Sequence, residues 1–143
     1  MITRSIAVAA PRDIVWTVLS DGNHISAWMN GARVETNWQI GAAITFIGEF
    51  NRKRFYDRGQ ILEWIPPSSL IYSYFSAWWR VADRPDNYST IAFSLAEDGN
   101  GTALSVAHEG IPTEAALNHA RFFWMNALAD IAKIAEGLNE ATP

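Results

Sequence analysis

Three histidines, four tyrosines and seven tryptophans are the side chains of this 143-residue chain best equipped for chemistry. Imidazole titrates near neutrality and serves as general acid, general base or hydrogen-bond partner. His108 stands out among the three. Leu104, Val106 and His108 share one face of a strand by the period-two rule, and the apolar pair marks that face as inward. Two readings stay open for His108: a core histidine satisfied by a backbone carbonyl or a tyrosine, or a ligand partner or catalytic acid–base group. Tyr72 and Tyr74 alternate with Leu70, Ser76 and Trp78 along a segment rich in β-formers. With that face inward, two phenols in an apolar layer need partners, and a ligand or ordered water would supply them. The opposite face then carries Ile71, Phe75 and Trp79, an exposed apolar patch that points to dimerisation. Trp28 and Trp124 are placed either to cap and wall a cavity or to pack in the core. Glu63 is in step with Ile61, but Leu62 and Trp64 compete for the inward face of the same strand. An inward Glu63 would be a buried carboxylate with a raised pKa or an arginine partner; an outward one would be an ordinary surface residue.

Other chemistries lack their residues. His24, His108 and His119 have no metal-ligand spacing, so no metal site is expected. Cysteine is absent, which removes disulfides, thiolate catalysis and cysteine-held metals. Gly99 and Gly101 follow the acidic pair Glu97-Asp98 in turn-forming sequence rather than cradling phosphate, and no GxSxG elbow occurs. No cofactor is expected.

Hydrophobic residues make up 49% and charged residues 18%, a balance that excludes intrinsic disorder. Aromatics make up 13%, and such rings wall cavities for apolar or planar ligands as readily as they fill a core. Eleven basic residues against fifteen acidic ones give a net charge of −4. The densest basic group, Arg52, Lys53, Arg54 and Arg58, is broken by Phe55, Tyr56 and Asp57 and reads as a solvated hairpin connection. No nucleic-acid footprint is present. No apolar run approaches the ~18 residues of a membrane span, and Met1 leads into an alternating segment rather than a signal peptide. The expectation is one cytoplasmic domain over residues 1–143, with neither nucleic acid nor membrane as partner.

Residues 2–9 alternate as a first strand. Pro11 and Asp13 open a short helix that stops near Asp21-Gly22, and His24 to Met29 form a second helical turn. Strands follow at 34–38, 43–50, 58–65, 70–79, 88–96 and 102–109, with EDGNGT (97–102) the strongest hairpin signal. A long helix over about 113–138 presents Ala120, Trp124, Ala127, Leu128, Ile131, Ala135 and Leu138 as one stripe, with Gly137 close to its end. An α+β fold satisfies this order: a curved antiparallel sheet of about seven strands wrapped around one long C-terminal helix.

Several stretches resemble a known superfamily. Ala10-Pro11 with Val15-Trp16 match its first helix, and Trp28 matches a position soon after that helix. Gly59-Gln60-Ile61-Leu62-Glu63 with Pro66-Pro67 and Leu70 match a Gly-x-Val-Leu-Glu strand, a proline pair and a leucine opening the next strand. Gly101-Thr102 with Leu104, Val106, His108 and Gly110 match a Gly-Thr-x-Leu-x-x-x-His-x-Gly strand. On these residues the chain resembles the START-like superfamily (SRPBCC, birch-pollen-allergen-like, with the helix-grip fold). Within it, the chain is most similar to homologues of the activator of the heat-shock-protein-90 ATPase, over roughly residues 6 to 137. Tyr74 and Phe123-Trp124 depart from that branch, where a Trp and a Gly-Trp are common.

The resemblance implies a cavity between sheet and helix, and with it three functions. The first is binding of a small apolar or aromatic molecule, with Trp28, Tyr72, Tyr74, Trp78, His108 and Trp124 as candidate ligand contacts. The second is a polyketide aromatase/cyclase-like enzyme, in which His108 with Tyr72 or Tyr74 moves protons. The third is a chaperone-activator-like interaction module. A homodimer is compatible with all three.

Overall fold

A computed structural model of the chain describes residues 1–141. Period-two alternation generates seven strands: β1 (Ile2–Val8), β2 (Arg33–Thr36), β3 (Ala43–Phe50), β4 (Lys53–Ile65), β5 (Ser69–Ser76), β6 (Ser89–Asp98) and β7 (Gly101–Glu109). They pair antiparallel throughout, in the order β1-β7-β6-β5-β4-β3-β2. Two short helices, α1 (Arg12–Ser20) and α2 (Gly22–Trp28), lie between β1 and β2, and α3 (Glu114–Ala141) closes the chain. The α+β helix-grip architecture read from the sequence is the one observed.

Local chemistry explains the junctions. Pro11 precedes α1 with extended backbone, and Asp21 both ends α1 and opens α2, its carboxylate accepting from the Asn23 N–H at 2.9 Å. The Thr113 hydroxyl accepts from the Ala116 N–H at 3.1 Å and so caps α3. The buried stripe of α3 includes Ala120, Trp124, Ala127, Leu128, Ile131 and Ala135, as its helical spacing predicts. The helix runs three residues beyond the expected 138, to Ala141. Glu136 accepts from the Ala9 N–H and Asn139 donates to the Ala9 carbonyl, which pins the extra turn to the end of β1.

Strand boundaries differ from the sequence reading by up to five residues, and three of the differences have a local cause. Residues 52–58 are not a hairpin connection. Asn51 and Arg52, at φ 52° and 66°, make a two-residue turn of the hairpin-favoured hand, and β4 starts at Lys53. The strand read over 34–38 begins at Arg33 and ends at Thr36, because the Thr36 hydroxyl accepts from the Trp38 N–H and turns the chain. β5 ends at Ser76: its hydroxyl accepts from the Trp78 N–H and starts a 3-10 turn over Ala77–Trp79.

The contest within β4 resolves through a bulge. Register shifts between Ile61 and Glu63, so Ile61 and Trp64 both pack on the core although two residues separate them. Trp64 packs on Trp16 and Trp38 at 5.1 and 5.3 Å between ring centroids. Glu63 pairs with Ile71 across the ladder and accepts a hydrogen bond from the Ser69 hydroxyl. The expected outer patch on β5 is not open either. Phe75 is buried, stacked on Tyr88 at 5.0 Å and overlaid by the Arg58 guanidinium at 5.1 Å.

Candidate functional site

Four neighbouring strands send side chains toward α3 at one end of the molecule: Phe55 and Asp57 from β4, Tyr74 and Ser76 from β5, Ile91 from β6, and His108 from β7. The helix supplies Ala116, His119, Ala120, Phe123 and Trp124, and the turn after β5 supplies Trp78, Trp79 and Arg80. Between them lies a mostly apolar cavity of about 490 Å³. That size is within the range that takes a small organic ligand. Alanines at 116 and 120 matter here, since small residues on one helix face leave the volume that larger ones would fill.

His108 is held from both sides. The Trp124 indole N–H donates to His108 Nδ1 at 3.0 Å, and His108 Nε2 lies 2.8 Å from the Ser89 hydroxyl. That hydroxyl donates its own proton to the Tyr74 carbonyl at 2.9 Å, so it accepts from the imidazole and the ring is the neutral Nε2–H tautomer. Burial, with a smaller contribution from the N-terminal amine, lowers the imidazole pKa to about 4. A relay of three hydrogen bonds thus ties α3 to β7, β6 and β5.

Asp57 is the unexpected member. It is 6% exposed, in a mostly apolar wall. The Tyr74 hydroxyl donates to Asp57 Oδ2, while Oδ1 is a buried side-chain oxygen without a hydrogen-bond partner. Loss of hydration raises the Asp57 pKa above the ordinary carboxylate value, opposed by the Tyr74 hydroxyl, the nearby Ser76 hydroxyl, Arg58 and His119. Ser76 is the cross-strand neighbour of Asp57, which brings its hydroxyl beside the carboxylate. Tyr74 is held far above the usual phenol range by burial and then by the adjacent carboxylate.

The side chains singled out from sequence fall into two groups. Tyr74, Trp78, His108 and Trp124 line the cavity. Trp78, 42% exposed, stands at its mouth against Phe55 at 5.6 Å, from the turn rather than from the strand. Trp28 and Tyr72 lie behind the wall. Trp28 packs on Phe93 and Trp124 and donates to the Val18 carbonyl at 3.0 Å; Tyr72 packs between Phe46 and Phe93. Sequence reasoning missed Asp57, although Phe55, Asp57, Gly59 and Ile61 are in phase and Ile61 is an apolar anchor for that face. Among the described residues no group of three or more His, Asp or Glu side chains converges as a metal site. No helix in them is long and apolar enough to cross a membrane.

A seven-stranded antiparallel sheet gripping one long helix over a lateral cavity defines the START-like class of α+β proteins. The match to the family described as "Activator of Hsp90 ATPase homolog 1-like protein" covers residues 9–136, and the chain belongs to that family. Among solved structures, it is similar to protein ChR145 of Cytophaga hutchinsonii, at 28% identity and TM-score 0.78 over 94% of this chain and 92% of that one. CalU16 of Micromonospora echinospora shares the fold at 24% identity and TM-score 0.69, covering 97% and 83% of the two chains. So does the Aha1 dimer of Colwellia psychrerythraea, at 16% identity and TM-score 0.74, covering 94% and 95%. No curated protein matches the chain.

Proposed function

We propose that this protein binds a small hydrophobic or aromatic molecule in the cavity between the sheet and α3. The observation that carries the reading is an aromatic-walled space of about 490 Å³ that the chain's own side chains leave unfilled. An apolar molecule entering it removes its own surface and that of Trp78 and Phe123 from water, at about 25 cal/mol per Å². Native mass spectrometry of freshly purified protein, with extraction of any bound compound, tests this. A stoichiometric apolar or aromatic ligand is expected; failure both to retain a ligand and to take one up from a panel of aromatic probes would refute it.

A catalytic reading has one observation in its favour, the buried Asp57–Tyr74 pair beside the cavity. In a polyketide cyclase-like reaction the cavity would hold the folded substrate and this pair would move a proton. His108 suits that role less well, because both ring nitrogens are engaged within the protein. Turnover lost in Tyr74→Phe with substrate affinity retained is the expected signature. A homodimer is compatible with either reading, and the mass spectrum reports it directly.

A further inference from the structure

We propose that Asp57 is the polar anchor of the cavity, and that its ligand is an apolar ring system carrying a neutral hydroxyl, which donates to Asp57 Oδ1. The inference rests on the ligand-binding reading above and adds the chemical class of the bound molecule. Its basis is an imbalance in an otherwise satisfied site. The buried polar side chains His108, Ser89 and Ser76 around the cavity wall each have a hydrogen-bond partner. His108 accepts from Trp124 and donates to Ser89, Ser89 donates to the Tyr74 carbonyl, and Ser76 accepts from the Trp78 N–H. Asp57 Oδ1 alone is a buried side-chain oxygen without a partner among the described residues. Buried polar groups are paired in the great majority of cases, and an exception beside a cavity is a position where a ligand completes the set.

The chemistry of the missing group is set by the partners Asp57 already has. Its Oδ2 is served by a neutral phenol, and Arg58 and His119 both favour its negative charge. The carboxylate lacks one donor rather than a countercharge. An O–H on a ring supplies that donor while the ring occupies the space between Trp78 and Phe123. An ether or a bare hydrocarbon of the same shape would seal Oδ1 away from water without replacing its hydrogen bonds. A site built to pair a substrate hydroxyl rejects analogues that lack it far more strongly than it rejects small differences in apolar size.

The test uses three probes of one shape, 2-naphthol, 2-methoxynaphthalene and naphthalene, titrated into wild-type protein by calorimetry or intrinsic tryptophan fluorescence. 2-Naphthol is expected to bind at least tenfold tighter than the other two. Asp57→Asn is then expected to erase that preference. The phenol of Tyr74 needs an acceptor, so the amide oxygen turns toward it and an N–H donor replaces Oδ1. Equal affinity of wild type for all three probes would overturn the anchor while leaving apolar binding intact. No measurable binding of any probe would overturn both readings. Tighter binding of 2-naphthylmethylammonium than of 2-naphthol would overturn the neutral hydroxyl in favour of a cationic donor. The wild-type series stands without the variant, so poor folding of Asp57→Asn would not remove the test.

Discussion

The Trp124 indole N–H donates to His108 Nδ1 at 3.0 Å, joining the long helix to β7 through one imidazole. A protonated Nδ1 would face that N–H with a second donor, so the relay exists only while His108 is neutral.

Stability should therefore depend on pH through this residue. The unfolded imidazole titrates near 6.5 and the folded one near 4. Between these values the unfolded chain holds more protons, so stability rises with pH across the window. It is fully present above about pH 6.5 and declines as pH falls toward 4, by roughly 3 kcal/mol in total. Urea unfolding at intervals from pH 7.5 to 4 measures the slope. His108→Gln should start lower at pH 7 and show a shallower decline; an unchanged slope would mean that His108 is not its source.

Asp57 works with the opposite sign. Its folded pKa is raised, so the protonated folded state is favoured and the contribution is lost as pH rises through the folded value. At neutral pH the unpartnered Oδ1 is a liability. Asp57→Asn is expected to stabilise the ligand-free protein at pH 7 by about 1–2 kcal/mol, the scale of one unsatisfied buried group, and to lose that advantage in acid. Destabilisation at pH 7 would show that the carboxylate is better solvated than its burial implies.

Gly59 is required for space. A Cβ at this position would lie 1.7 Å from the Ser73 carbonyl oxygen, a backbone atom that cannot move without breaking the β4–β5 ladder. Gly59→Ala should cost about 2–4 kcal/mol or prevent folding, as overpacking against backbone does. Thermal unfolding beside Gly137→Ala, where nothing lies within 4 Å of the added carbon, provides the control.

Most of the fold was legible because its signals are local and repetitive. Alternation in 102–109, the turn at Gly99, and the Ala120 to Ala135 stripe each depend on a few neighbouring residues, and the structure uses them as read. The failures were non-local. Nothing near Trp64 announces that Ile61 shares its face, because the bulge is set by the β4–β5 register. Trp78 follows Tyr74 and Ser76 in strand phase, but the Ser76 hydroxyl ends the strand two residues before it. The candidate site was half legible for the same reason. His108 and Tyr74 followed from face assignment within their own strands. Asp57 was hidden by flanking arginines, which face outward and made the segment look solvated.

Two of the tryptophans named from sequence, Trp28 and Trp78, should separate cleanly. Trp28 is 3% exposed and hydrogen-bonded, so Trp28→Ala should remove about 3–5 kcal/mol of stability. Trp78 stands at the cavity mouth, and Trp78→Ala should change stability by about 1 kcal/mol or less while weakening an aromatic probe several-fold. Equal stability losses in the two variants, without a change in probe affinity for Trp78→Ala, would contradict this division.

The central claim is that the space under α3 receives an apolar ligand, and a nitrogen–proton NMR titration of wild-type protein with 2-naphthol tests it most directly. Saturable shifts are predicted for the backbone amides of Ala116 and Ala120 and the indole N–H groups of Trp78 and Trp124. The Trp16 and Trp64 signals, from the far cluster, should stay fixed. Shifts confined to the outer face of the sheet, or none up to the solubility limit of the probe, would contradict the account.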